Sequence, residues 1–246
     1  MVLENKNILI TGASRGLGKE LAKLLGNARA NLILTARNKD ELISVRDEIE
    51  KQSGKTALII PCDVSDENGI SKLTNIISTC YDCIDVLVNN AGFGIHRASE
   101  LIENDEMKKL FEVNFFGPYF LIKSLLPLLK KSDSGYILNI GSLTSKAAFP
   151  ENSVYAATKS ALNCFTFGLD LELKKYRIKA GIIYPGLMDT LFHESQNKKS
   201  SLNPSFLFMK PRKVAGHCLN MIKKRKRKFN TSKITLALMK TKQLTF

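Results

Sequence analysis

The sequence predicts an α/β fold, a parallel sheet doubly wound by helices on both faces, and three observations carry that prediction. Short apolar runs alternate with helix-spaced segments in units of about 30 residues. A glycine-rich turn joins the first apolar run to the first helix. Polar motifs recur just past the ends of the apolar runs, where open α/β sheets bind ligands.

The elements follow in order. Asn7-Ile8-Leu9-Ile10-Thr11 is the first strand, followed by Gly12-Ala13-Ser14-Arg15-Gly16-Leu17-Gly18 and a helical pattern over residues 19–26. Strand, glycine turn and helix together make a dinucleotide-binding unit, in which the glycines let the backbone approach a pyrophosphate seated on the helix N-terminus. The spacing is G-x-x-x-G-x-G, one residue longer before the second glycine than the usual fingerprint. The second strand, 31–36, ends in Ala36-Arg37 instead of the Asp or Glu that binds a ribose 2′-hydroxyl. Two guanidiniums, Arg15 and Arg37, suit a 2′-phosphate and point to NADP(H); otherwise Arg37 is a solvated loop charge.

Helical spacing then covers 39–52, and a third strand, 56–62, ends in Asp63-Val64. A helix over 66–79 leads to the fourth strand, 85–88, which ends in Asn89-Asn90-Ala91-Gly92. A long helix, 105–130, carries Asn114 and Pro118. The fifth strand, 136–141, ends at Ser142, a helix runs from an N-cap at Ser153 to residue 176, and the sixth strand, 179–184, ends in Pro185-Gly186. The pattern breaks over 188–209, where a polar loop at 197–204 is flanked by apolar residues and reads as a substrate lid or an ordinary helical excursion. Pro211 opens a final helix over 213–223.

Tyr155 and Lys159 stand four apart and share one helix face. A phenol has a pKa near about 10, and an ammonium one turn away favours the phenolate, so the pair is a usable proton-transfer unit. Taken alone, a Y-x-x-x-K match is more often a solvated helix face.

Composition sets outer bounds. With 246 residues, 44% hydrophobic and 24% charged, the chain is the size of a single domain with ample core. No apolar run is long enough to span a bilayer, and the polar first residues give no sign of a signal peptide. Five dispersed cysteines (62, 80, 83, 164 and 218) suggest reduced thiols and a cytoplasmic setting. Cys80-x-x-Cys83 has no second pair and no nearby histidine, and His96, His193 and His217 are far apart, so no metal site is expected.

These residues resemble the short-chain dehydrogenase/reductase family over about residues 5–225. The carriers are Thr11 to Gly18, Asp63, Asn89-Asn90-Ala91-Gly92, Asn114, Ser142, Tyr155-x-x-x-Lys159, and Pro185-Gly186 with Thr190, including thirteen residues from Ser142 to Tyr155. The resemblance implies a three-layer Rossmann-type sheet of order 3-2-1-4-5-6-7. It implies that Tyr155 exchanges a proton with the substrate oxygen, that Ser142 hydrogen-bonds this oxygen, and that Lys159 holds the nicotinamide ribose and lowers the Tyr155 pKa. Asn114 is then expected to distort its helix and hold a water linking Lys159 to solvent. Gly12, Ser14, Arg15, Gly16, Leu17, Gly18 and Arg37 would cradle the phosphates, and Asp63 and Val64 the adenine. Asn90, Ala91, Gly92, Pro185 and Gly186 would pack on the cofactor, with Thr190 on its carboxamide.

The charge is asymmetric. Residues 1–197 hold 23 basic and 23 acidic side chains, whereas 198–246 hold 14 basic and none acidic. We divide the chain into a dinucleotide-binding domain, 1–225, with a substrate loop at about 187–210, and a basic extension, 226–246. Its end lacks the glycine pair that closes chains resembling the 3-oxoacyl reductases and looks more like the lipid- and steroid-handling branch or related bacterial reductases. Residues 223–246 could contact an anionic membrane peripherally through a basic amphipathic helix around Ile234, Leu236 and Leu238, or be a solvated tail or dimer-packing segment. Nucleic acid is the least favoured partner.

The expected activity is NADP(H)-dependent reduction of an apolar ketone or aldehyde. The alternatives are a 3-oxoacyl reductase and a non-catalytic NADP-binding protein acting through its basic tail. Gly94, Leu143, Phe149, Leu187 and 188–209 are the expected substrate lining, and the resemblance implies a homodimer through the helices of Asn114 and Tyr155.

Overall fold

Side chains along the first strand explain the layering. In β1 (Asn7–Thr11), Ile8 and Ile10 enter one buried cluster and Leu9 the other, because successive side chains leave a strand on opposite faces. A strand covered on both faces therefore reads as an unbroken apolar run. The structure is a computed structural model, and it describes residues 1–147, 150–186, 188 and 209–231. Parallel to β1 lie β2 (Asn31–Thr35), β3 (Leu58–Ile59), β4 (Val86–Asn89), β5 (Tyr136–Ile140), β6 (Lys179–Tyr184) and β7 (Lys228–Asn230). The sheet order is β3-β2-β1-β4-β5-β6-β7, as expected.

One face is covered by α1 (Gly16–Asn27), α2 (Lys39–Ser53) and α7 (Pro211–Lys224). The other is covered by α3 (Glu67–Cys80), α5 (Gly117–Lys130) and α6 (Ser153–Glu172), while α4 (Asn104–Phe111) packs against α6. Local chemistry sets the ends. The Asn38 side chain accepts from the Asp40 and Glu41 amides, at 3.0 and 3.2 Å, to start α2, and Gly54 ends it in the left-handed region at φ 68°. Pro211 occupies the first turn of α7, where its missing N–H costs nothing.

Several boundaries differ from those the sequence suggests. The N-cap of α6 is Asn152, one residue before the expected Ser153, whose hydroxyl instead pairs with Ser99 at 2.5 Å. The long helix over 105–130 is interrupted by a π-helical turn, Glu112–Phe116, which separates α4 from α5. The third strand is only Leu58–Ile59, although the amides of Ile60 and Cys62 extend the pairing to Leu34 and Ala36.

The largest difference concerns the basic C-terminal segment. The expected domain ends at 225, but β7 lies beyond it and completes the sheet beside β6. Here the two arginines are bound into the fold. Arg225 donates to the Gly135 and Arg177 carbonyls at 2.9 and 2.5 Å. Arg227 pairs with Asp170 at 3.1 Å and lies over the Phe167 ring. The Tyr136 hydroxyl donates to the Lys226 carbonyl at 2.6 Å, and a Cβ on Gly181 would sit 2.2 Å from that same oxygen. Residues 225–231 are thus a strap across the sheet edge. The proposed amphipathic stretch from Ile234 onward lies outside the described residues. So do Phe149, Leu187, Thr190 and the interior of the 187–210 loop, whose two ends meet in a parallel bridge between Met188 and Met209. Among the described residues no helix is long and apolar enough to cross a membrane.

Candidate active site

The glycine loop after β1 is tight enough to require its glycines. Gly12 and Gly16 have φ of 62° and 56°, in the left-handed region. A Cβ on Gly18 would come within 2.2 Å of the Gly12 carbonyl oxygen. Arg15 is the N-cap residue of α1, with no side-chain cap bond, and no acid stands in the first turn. The amides at this helix N-terminus are therefore suited to an anion such as a pyrophosphate. Ser14 and Leu17 fall within the same turn. Across the cleft, the Asn90 side-chain amide donates to the Thr11 and Gly12 carbonyls at 2.8 and 3.0 Å. The residues present fit a dinucleotide.

Arg37 lies exposed past the end of β2. A carboxylate does stand near it, contrary to the reading of the strand end alone. Burial works against the Asp63 carboxylate, but hydrogen bonds from the Ser65 hydroxyl and amide, at 2.7 and 2.9 Å, with the charges of Lys109 and Arg37, lower its pKa. Val64 is buried beside it, and a Cβ on Gly117 would lie 2.6 Å from the Val64 carbonyl oxygen.

Of the remaining predicted residues, those among the described ones lie at the carboxyl ends of β4, β5 and β6 or on the helices beside them. Tyr155 and Lys159, on α6, are only 7% and 4% exposed. The Lys159 Nζ donates to the Ile140 carbonyl at 3.0 Å. Asn114 sits in the π-helical turn, an arrangement that turns a side chain out of the regular helix face. Its Nδ2 donates to the Phe93 carbonyl and Thr158 Oγ1 at 2.9 and 3.1 Å, and its Oδ1 accepts from the Phe93 amide at 3.1 Å. A Cβ on Gly92 would lie 2.9 Å from Asn114 Oδ1 and 3.3 Å from Lys159 Nζ, so this glycine admits both polar groups to one spot. Ser142 follows β5 and hydrogen-bonds Tyr155. Pro185 and Gly186 follow β6, and the Gly186 amide donates to Thr231 Oγ1 at 2.9 Å.

Electrostatics here differ from the sequence expectation. Burial pushes the Tyr155 phenol up to about 12, only partly countered by Ser142. Burial also lowers Lys159 to about 8. Desolvation disfavours the charged form of each group, and in this pocket it outweighs the lowering of Tyr155 that Lys159 was expected to produce.

Comparison with known proteins agrees with this geometry. The family described as short chain dehydrogenase matches residues 6–201. The chain belongs to the short-chain dehydrogenase family. A fatty acyl-CoA reductase of Acinetobacter baylyi is 37% identical over 190 residues, covering 76% of this chain and 64% of that protein. The fold is similar to a metagenomic short-chain oxidoreductase solved in complex with NADP, with a TM-score of 0.79, 26% identity, and coverage of 94% and 97% of the two chains. An alcohol dehydrogenase of the archaeon Thermococcus sibiricus, complexed with 5-hydroxy-NADP, superposes with a TM-score of 0.84, 26% identity and the same coverage.

Some residues of this short-chain dehydrogenase become visible only in three dimensions. Thr11 Oγ1 accepts from the amides of Asn90 and Ala91 at 3.0 and 2.9 Å and so clamps the end of β4 to that of β1. Thr158 receives Asn114 and donates to the Tyr155 carbonyl at 2.8 Å. The His96 ring lies 5.9 Å from the Tyr155 ring. Thr158 could have been suspected from its position three residues after Tyr155, on the same helix face; Thr11 opens the glycine motif but its clamp on β4 is not readable from that place, and His96 carries no signal.

Proposed function

We propose that this chain is an NADP(H)-dependent reductase of apolar carbonyl compounds. The observation that carries the reading is the convergence of Ser142, Tyr155 and Lys159 beside Gly92, with two hydroxyls able to meet one oxygen and a buried cation behind them. Arg15 and Arg37 beside the glycine loop support NADP(H) over NAD(H), as do the NADP and 5-hydroxy-NADP complexes of the two structural neighbours. The bound nicotinamide would supply the hydride. Ser142 hydrogen-bonds the carbonyl oxygen, and Tyr155 delivers its proton to that oxygen as it becomes an alkoxide. A phenol held near pH 12 is fully protonated at neutral pH, the form that reduction requires. Lys159, with one N–H on Ile140, has two more to hold ribose hydroxyls. Its charge, kept below about pH 8, favours proton release from Tyr155.

A fatty acyl or fatty aldehyde carbonyl is the substrate class we favour, on the strength of the 37% identical relative named as a fatty acyl-CoA reductase. A homodimer is supported by the aromatic face of α5 and its neighbours, where Phe116 and Tyr119 are 43% and 38% exposed; Phe116 stacks on Phe120 and meets Phe115 edge-on, and Tyr119 meets Phe120 edge-on and Phe165 at a tilt.

The test is titration with NADPH and NADH by nicotinamide fluorescence, then a screen with decanal, a 3-oxoacyl thioester and palmitoyl-CoA. Tight NADPH binding with turnover of a long-chain carbonyl is expected. Equal affinity for both dinucleotides would refute the preference, and binding of neither would overturn the enzyme reading. Light scattering reads the oligomer directly, with a monomer refuting the dimer.

A further inference from the structure

Ser142 can serve a carbonyl oxygen only if its hydroxyl proton points at it. A serine hydroxyl has one proton and two lone pairs. In this structure both lone pairs are engaged by one residue, Thr144: its amide donates to Ser142 Oγ at 3.2 Å and its hydroxyl donates at 2.9 Å. Ser142 therefore has only its proton left to offer, and the partner in reach is the Tyr155 hydroxyl. The turn that holds Thr144 is itself fixed. The Ser145 hydroxyl donates to the Ser142 carbonyl at 2.7 Å, the Ser160 hydroxyl of α6 donates to the Ser145 carbonyl at 3.3 Å, and the Leu143 amide donates to the Pro185 carbonyl at 3.2 Å.

We propose that Thr144 is a positioning residue that makes Ser142 an obligatory donor toward the reacting oxygen. Without its hydroxyl, one Ser142 lone pair is freed, and the serine proton can rotate away. The inference rests on the reading of Ser142 and Tyr155 as the proton-handling pair.

The experiment compares Thr144→Val, which keeps the branched shape and removes the hydroxyl, with Thr144→Ser, which keeps the hydroxyl, using NADPH and decanal. We expect T144V to lose about tenfold in kcat, the scale of one hydrogen bond, with KM and NADPH affinity unchanged and T144S within about twofold of the parent. In the alcohol-oxidising direction the rising limb of the pH profile should move upward in T144V alone, because Tyr155 loses a donor that favours its phenolate. Unchanged kcat and pH profile in T144V, or equal impairment of T144V and T144S, would overturn the inference. A parent enzyme without turnover refutes the reductase reading separately, and the pairing is then decided by melting temperatures. T144V should lower the melting temperature of the parent but not of Ser142→Ala, whereas equal lowering in both backgrounds overturns it.

Discussion

The two ends of the sheet bury opposite charges and treat them differently. At the amino end, Asp85 is 3% exposed and surrounded by donors: Lys6 Nζ at 3.0 Å, the Asn7 amide at 2.9 Å and the Ser132 hydroxyl at 2.7 Å. At the carboxyl end, Lys159 is equally buried, but its hydrogen bond is to a neutral carbonyl, and its pKa falls to about 8. One end compensates its charge and holds strands together. The other leaves its charge undercompensated, which makes the group a ready proton carrier at a cost in stability.

This contrast can be broken by mutation, and the largest effect should be on turnover. Tyr155→Phe removes the proton donor and should cut kcat by about a thousandfold or more while leaving NADPH affinity and the melting temperature near the parent values. Retained activity would put the chemistry elsewhere. The amino end should answer in stability alone: Asp85→Ala leaves Lys6, the Asn7 amide and Ser132 without their acceptor and should cost about 3 kcal/mol in urea unfolding.

Lys159→Met should do the opposite and raise stability by about 2 kcal/mol at pH 7 while abolishing reduction. The sign follows from the lowered pKa. Between about pH 8 and the ordinary lysine value of 10.5 the unfolded chain binds the proton that the folded chain releases. Stability of the parent therefore rises with pH across that window, and the advantage of the variant should fade over the same range. A constant advantage would show that packing, not charge burial, causes it. Smaller again, Arg37→Ala should weaken NADPH about tenfold and leave NADH unchanged. At the sheet edge, Thr231→Val removes the acceptor of the Gly186 amide and should cost about 1 kcal/mol.

Much of the architecture is readable from residue order because strands buried on both faces must be apolar throughout. Ile8 to Ile10, Val86 to Val88 and Ile182 to Tyr184 carry that requirement openly. The residues of the candidate site are legible for a related reason, since each follows such a run directly. The π-helical turn at Asn114 is hidden, because one extra residue in a helix leaves the apolar spacing nearly intact. β7 is hidden too. Lys228-Phe229-Asn230 brings only one apolar side chain, Phe229, to the core, and the neighbouring Arg225 and Arg227 are satisfied by Asp170 and by carbonyls distant in sequence. A charge count reads such a run as surface. The electrostatics of Tyr155 and Lys159 depend on how deeply the pocket is sealed, which local spacing does not express.

The strap over β6 also has a consequence for biosynthesis. β7 is translated after the other six strands, so a nascent chain that has already paired them presents β6 as an open edge, rich in Ile182, Ile183 and Tyr184, until residues 225–231 emerge. Open apolar edges recruit strands from other chains. Ribosome stalling or proteolysis just before Arg225 should therefore yield an aggregating product and not a trimmed enzyme.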